Sequence, residues 1–297
     1  MRRFSKSLPF LVLAASCATA ALRLETPGEP ELFLEGLVST AASEVKITFS
    51  PDGSRMLWGS TNREGGPGGW DIWESVRKDG VWGPPRPAPF DSPQNDFDPF
   101  FAPDGKAVYF FSNRPGGLGG DDLWMAPFDP ETGRYGEAVN LGPEVNSKGD
   151  EWAPVLSADG RLLLFATDGR GGRGLHDLFS SVRQDGRWQA ARPLAGEINS
   201  ADDDFDAAFL HDGRTIVFTR RSKGQEGSDL YVSFAEGGRY GPASRLSRAV
   251  NAEGAWNLGP SIHPREAGWL YFSSHRATAT AGRTDIYRIA YGLGKAP

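Results

Sequence analysis

Short apolar runs rich in branched and aromatic residues alternate with polar turns along this chain, and the alternation recurs at a fixed pitch. One set of runs covers residues 45–49, 97–101, 152–156, 205–209 and 258–262; a second covers 55–59, 107–112, 162–166, 215–219 and 269–273. Between the two lies a turn of the Pro-Asp-Gly type, a strong signal for a tight hairpin. It starts at Pro51, Pro103, Ala158, His211 and, in degenerate form, Pro264, so the spacings are 52, 55, 53 and 53 residues. Each period continues with a loop that is usually Gly-rich. An acid-aliphatic-aromatic triplet follows, led by Asp71, Asp122, Asp177, Asp229 and Asp285. A Gly turn and a fourth run then end near Asp91-Ser92, Asn146-Ser147, Asn199-Ser200 and Asn251-Ala252. No segment after residue 22 keeps a sustained 3.6-residue apolar spacing, so almost no helix is expected.

Four short strands per repeat of this length predict the blade of a β-propeller. The last repeat stops near Tyr291 after its third strand. The segment 33–40 has no hairpin partner of its own, and Val38-Ser39-Thr40 aligns with Val145-Asn146-Ser147 and Ile198-Asn199-Ser200. The expectation is therefore an all-β propeller of five blades, each of four antiparallel strands, with the N-terminal strand completing the C-terminal blade and removing a free edge. An open sandwich would not account for five copies at one period.

Composition narrows the function classes. The formal net charge of −6 and the lack of a basic stripe argue against nucleic acid. The 38 Gly and 22 Pro fit a turn-rich chain. The first 20 residues read as a secretion signal: Met1-Arg2-Arg3 and Lys6, an apolar core over 8–15, and small residues Ala18-Thr19-Ala20. Cys17 closes a stretch, Leu13-Ala14-Ala15-Ser16-Cys17, that resembles a lipoprotein cleavage box, with Ala14 where Leu is usual. Lipidation at Cys17 and plain secretion are both open. Residues 21–32 read as a tether and 33–297 as one propeller domain. A monomer outside the cytoplasm is expected, periplasmic or lipid-anchored at the outer membrane, touching a membrane only through such an anchor.

The phrases Ser50-Pro51-Asp52-Gly53, Phe111-Ser112-Asn113-Arg114-Pro115-Gly116-Gly117 and Asp285-Ile286-Tyr287 resemble the bacterial TolB-type, WD-like propeller repeat over roughly residues 44–291. The resemblance implies an exported bacterial protein serving as a protein-binding platform of the cell envelope, or a propeller attached to peptidase or peptidoglycan-binding modules. Neither module reads in this sequence, and the blades are longer than the repeat of the Tol-system protein.

Candidate chemistry gathers where the inner strands begin. Seven residues before each turn stand Glu44, Asp96, Glu151, Asp204 and Asn257; five before stand Lys46, Asp98, Ala153, Asp206 and Gly259. On strands lining the channel, these would bring several carboxylates to one mouth, favouring a cation or basic group. The alternative is that they are turn acids bonded to nearby backbone. Trp70 and Trp256 break the repeat, because other blades are polar there, which marks them as exposed platforms for a sugar or protein partner. The alternative for both is local packing. The remaining tryptophans occupy apolar repeat positions and read as wedges between blades. The triplet acids recur in every blade, so each is expected to accept hydrogen bonds from its own preceding loop. The four histidines show no metal-ligand spacing, His211 and His263 fall at exposed turns, and no Gly-x-Ser-x-Gly elbow appears.

Three functions follow. The first is a non-catalytic platform binding an envelope protein or glycan, with no cofactor. The second is a glycosidase-like enzyme with Glu151 or Glu44 as acid and Asp96 or Asp204 as base. The third binds Ca²⁺ or a small molecule through the axial acids.

Overall fold

The structure, a computed structural model, describes residues 22–276 and 283–295. The expected signal segment, Cys17 included, lies outside the described residues. Among the described residues there is no helix, and five antiparallel sheets form the blades. Their inner strands are Ser43–Phe49, Asp96–Phe101, Glu151–Leu156, Asp203–Phe209 and Trp256–Ile262. Each packs against the next, and the fifth against the first, so the five-bladed ring is closed.

The hairpin turns form as their residues dictate. Gly53, Gly105, Gly160 and Gly213 take φ of 66–71°, a region open to glycine. The preceding Asp52, Asp104, Asp159 and Asp212 each accept the backbone N–H two residues on at 3.0 Å. At the degenerate fifth turn, His263 Nδ1 replaces the carboxylate, accepting the N–H groups of Arg265 and Glu266 at 3.2 and 3.1 Å. His263 is accordingly buried against Phe49, contrary to the expectation of exposure; His211 is exposed.

The fourth strand is two short pieces rather than one. In the second blade, for example, Arg134–Tyr135 and Val139–Asn140 both pair with Asp122–Asp129. Its end is locked by an asparagine. Asn146, Asn199 and Asn251 accept the N–H of Leu123, Leu178 and Leu230 at 2.8–2.9 Å and donate to the same residues' carbonyls at 2.9–3.0 Å. In the fifth blade Ser39 does this for Ile286, while Glu31–Leu32 pairs with Asp285–Ala290 and Phe33 N–H reaches Ile286 O. The N-terminal segment thus completes the last blade. The segment expected as a tether also carries Leu22–Glu25, which pairs with Gly292–Lys295.

A half-buried arginine braces every blade. Arg63, Arg114, Arg170, Arg220 and Arg276 leave the ends of the second strands and donate to backbone carbonyls at the ends of neighbouring outer segments, such as Phe90 O at 3.1 Å and Ile198 O at 2.8 Å. The triplet acids split. Asp71, Asp122 and Asp177 accept N–H groups of their preceding loops, whereas Asp229 is held by Arg245.

Candidate functional site at the channel mouth

Every inner strand carries a bulge at one position, and that position sets the site. The pairing register shifts between Val45 and Ile47, Phe97 and Phe100, Trp152 and Val155, Phe205 and Ala208, and Leu258 and Ser261. The residue five before each turn is left-handed: Lys46, Asp98, Ala153, Asp206 and Gly259, with φ of 47–53°. Four of the five are not glycine, in a conformation that costs an L-residue roughly 1 kcal/mol. A bulge re-aims the side chains beside it, and here it turns this ring toward the axis.

Lys46, Asp98 and Asp206 meet there as a buried girdle. Asp98 and Asp206 hydrogen-bond to each other, and Asp206 Oδ2 also accepts Gly259 N–H at 2.9 Å. Burial, then the Asp206 charge, pushes the Asp98 carboxyl well above the usual range despite Lys46. Burial also raises Asp206, opposed by Lys46 and the Gly259 N–H. Lys46 Nζ is buried without a hydrogen-bond partner.

Above the girdle opens a cavity of about 640 Å³. The residues six before each turn, Val45, Phe97, Trp152, Phe205 and Leu258, make its apolar wall; Asp98 and Asp206 reach its floor, and Arg283 and His275 its rim. Trp70 and Trp256 complete the wall and remain 43% and 36% exposed. Trp70 is propped by Phe97, ring centroids 5.0 Å apart. Below the girdle a second cavity of about 380 Å³ begins at Lys46 and is walled mainly by prolines and phenylalanines near the turns.

The residues seven before each turn are elsewhere. Glu44, Asp96, Glu151, Asp204 and Asn257 are fully buried and do not line the mouth. Ser92 donates its N–H and hydroxyl to Asp96 Oδ2, both at 2.6 Å, while Arg114 holds Oδ1. Ser200 and Arg220 hold Asp204 in the same way. Thr40 holds Glu44, and Ser147 and Thr167 hold Glu151. Asn257 bonds to the Ser228 carbonyl and accepts from Ser274. These are braces between strand starts and the preceding turns, and none faces a space for substrate. Burial raises Glu44, Glu151 and Asp204, and each is held by the internal contacts just described. Of the ten candidate residues, the structure brings Lys46, Asp98, Asp206, Trp70 and Trp256 to the channel and leaves the other five inside the blades.

Two parts of the site have no counterpart among the sequence candidates. The wall residues Phe97, Trp152 and Phe205 repeat as apolar positions and so read as wedges. The other part lies beside Trp152, whose ring stacks on that of His176 at 4.0 Å. There a ring nitrogen of His176 and a carboxylate oxygen each from Asp150 and Asp168 lie within 4.8 Å of one another.

No protein-family model matches this sequence, and no curated protein matches it. Solved structures do. The α-L-arabinofuranosidase PaAbf62A of Podospora anserina superposes with a TM-score of 0.53 at 11% identity over 92% of this chain and 97% of that one. An exo-1,5-α-L-arabinanase from a bovine ruminal metagenomic library gives 0.54 at 11% identity, covering 88% of this chain and 99% of that one. A putative TolB of Agrobacterium tumefaciens gives 0.47 at 20% identity over 68% of this chain, which spans 64% of that protein. At such identities the likeness is one of fold, and what it establishes is that this chain is a β-propeller.

Proposed function

We propose that the chain is a non-catalytic binding propeller of the bacterial cell envelope, as its TolB-like repeat suggests, and that its ligand site is the channel mouth. One observation carries this reading: the two carboxyl groups that reach the channel touch each other. A glycosidase needs its acid and its second carboxylate separated by about 5 Å or more, on either side of the scissile bond. Asp98 and Asp206 instead hydrogen-bond to each other at the floor, and the four acids seven before the turns are consumed by internal bonds. Tryptophan and phenylalanine walls over a polar floor suit a neutral ring bearing hydroxyl groups, a glycan ring above all. The apolar faces of the ring stack on the indoles and its hydroxyls bond at the floor.

The test is a titration of intrinsic tryptophan fluorescence with neutral oligosaccharides, run beside an assay for released reducing ends. The expected result is saturable binding weakened at least tenfold by Trp70→Ala, with no reducing ends released. Hydrolysis lost in Asp206→Asn would overturn the non-catalytic reading. Binding unaffected by Trp70→Ala would move the site away from the mouth.

A further inference from the structure

The geometry points to a divalent metal site on the rim of the mouth, built by His176, Asp150 and Asp168 and backed by Asp203. The histidine is prepared for it. His176 is 4% exposed. Its Nδ1 sits 2.7 Å from Asp203 Oδ1, and that carboxylate also accepts from Arg221. A carboxylate against Nδ1 is the usual partner of a metal-binding imidazole, which presents its Nε2 to the ion. Nε2 is buried with no hydrogen-bond partner, an arrangement that is unfavourable unless something binds there.

The fold uses the acid at Asp150, as it uses Asp203 in the next blade, to accept one backbone N–H, but it does not require the charge of Asp168. Asp168 Oδ1 accepts the Asp150 N–H at 2.8 Å. In the second blade the same bond, to the Asn95 N–H at 3.0 Å, comes from Asn113 Oδ1. The backbone role is therefore met without charge. Blade three replaces the Asn95, Asn113 and Asp121 of blade two with Asp150, Asp168 and His176, exchanging a single carboxylate for two beside an imidazole. Asp150 Oδ1 and Asp168 Oδ1 are each used by one backbone N–H, leaving a second oxygen on each for a ligand.

The ligand class follows from the donors. One imidazole with two carboxylates suits a first-row ion such as Zn²⁺ or Mn²⁺ better than Ca²⁺ or Mg²⁺, which prefer oxygen alone. Tetrahedral zinc with bonds of roughly 2.0–2.2 Å holds its ligand atoms about 3.5 Å apart, and side-chain rotations that move these atoms by about an ångström bring the group, now within 4.8 Å, to that spacing. Asp168 is exposed and gives the ion an entry path, with water filling the open positions. Because Trp152 stacks on His176, the bound ion would stiffen one wall of the mouth.

Calorimetry of the tag-free, chelator-treated protein with ZnCl₂ tests this, with MnCl₂ and CaCl₂ as separate arms. One equivalent of Zn²⁺ is expected, lost in His176→Ala and weakened at least tenfold in Asp168→Asn. Asp168→Asn serves if His176→Ala does not fold, since Asn113 fills the same turn in the neighbouring blade. A folded wild-type protein that takes up no Zn²⁺ or Mn²⁺ would overturn the inference. So would Zn²⁺ affinity unchanged in either variant, or Ca²⁺ bound with equal strength in wild type and His176→Ala.

Discussion

Asp91→Asn should make this protein more stable at neutral pH, and the gain should vanish in acid. Asp91 occupies the locking position held by Asn146, Asn199 and Asn251 in three other blades. There the amide donates to a carbonyl and accepts from an N–H of the same residue, and a carboxyl group can imitate it only while it keeps its proton. Burial, followed by the nearby Asp96 charge, pushes the Asp91 carboxyl up to about 9. Its folded-state value is thus raised above the unfolded value of 3.8. The stability tied to it is fully present below about pH 4 and is lost as pH rises toward 9. Each pH unit above the unfolded value costs about 1.4 kcal/mol while the folded group stays protonated. That gives an upper bound of about 4 kcal/mol at pH 7, and relaxation around a partly accessible turn should leave roughly half. Asparagine does not titrate and keeps its donor at every pH. Urea unfolding of both proteins at pH 4.5, 6, 7 and 8 should show a difference of roughly 2 kcal/mol at pH 7 that grows with pH and approaches zero at pH 4.5. A difference independent of pH, or a variant less stable than wild type at pH 8, would refute the reasoning.

Asn199→Ala removes both bonds to the Leu178 backbone and leaves its buried N–H unpaired, so urea unfolding should show a loss of about 2 kcal/mol. Gly259→Ala should cost about 2 kcal/mol in the same measurement. Ala153 tolerates the same φ of 53° in another blade, but a Cβ on residue 259 would lie 2.9 Å from Lys46 Cβ and 3.0 Å from Lys46 Cα and N. Equal stability of Gly259→Ala and wild type would mean that the two inner strands can separate there.

The fold was readable because each blade announces itself with a turn whose chemistry is local. Asp and Gly at fixed offsets build the hairpin without reference to anything distant. Closure was readable from phase, although the paired residues are Glu31–Leu32, just before the stretch the alignment suggested. The repeat also misled: Asp229 sits in the same triplet as Asp122 yet binds Arg245, because an arginine side chain reaches it. The site was half readable for one reason. In a regular strand, residues seven and five before the turn share a face, so both sets of acids were read as axial. The bulge at the fifth position breaks that parity, burying Asp96 and Asp204 while Asp98 and Asp206 face the channel. Nothing in one sequence marks a bulge at Lys46, Asp98 or Ala153, since glycine stands at only one of the five positions. The arrangement around His176 was hidden for another reason: Asp150 and Asp168 come close to it only through the blade's own hairpin and the long loop that follows.

The last blade also orders events in time. Its outer strand is made first and its three inner strands last, and the pair Glu31–Arg288 spans 257 residues. Closing so long a loop carries an entropic penalty that no local contact offsets until the whole chain is present. Four blades can form as the polypeptide emerges, with Asp285–Ala290 still lacking an outer neighbour. The ring then shuts in one late step, and the Lys46–Gly259 contact between the first and fifth inner strands forms with it. The floor of the mouth is therefore among the last features to assemble, and a chain cut short at either end would lack it.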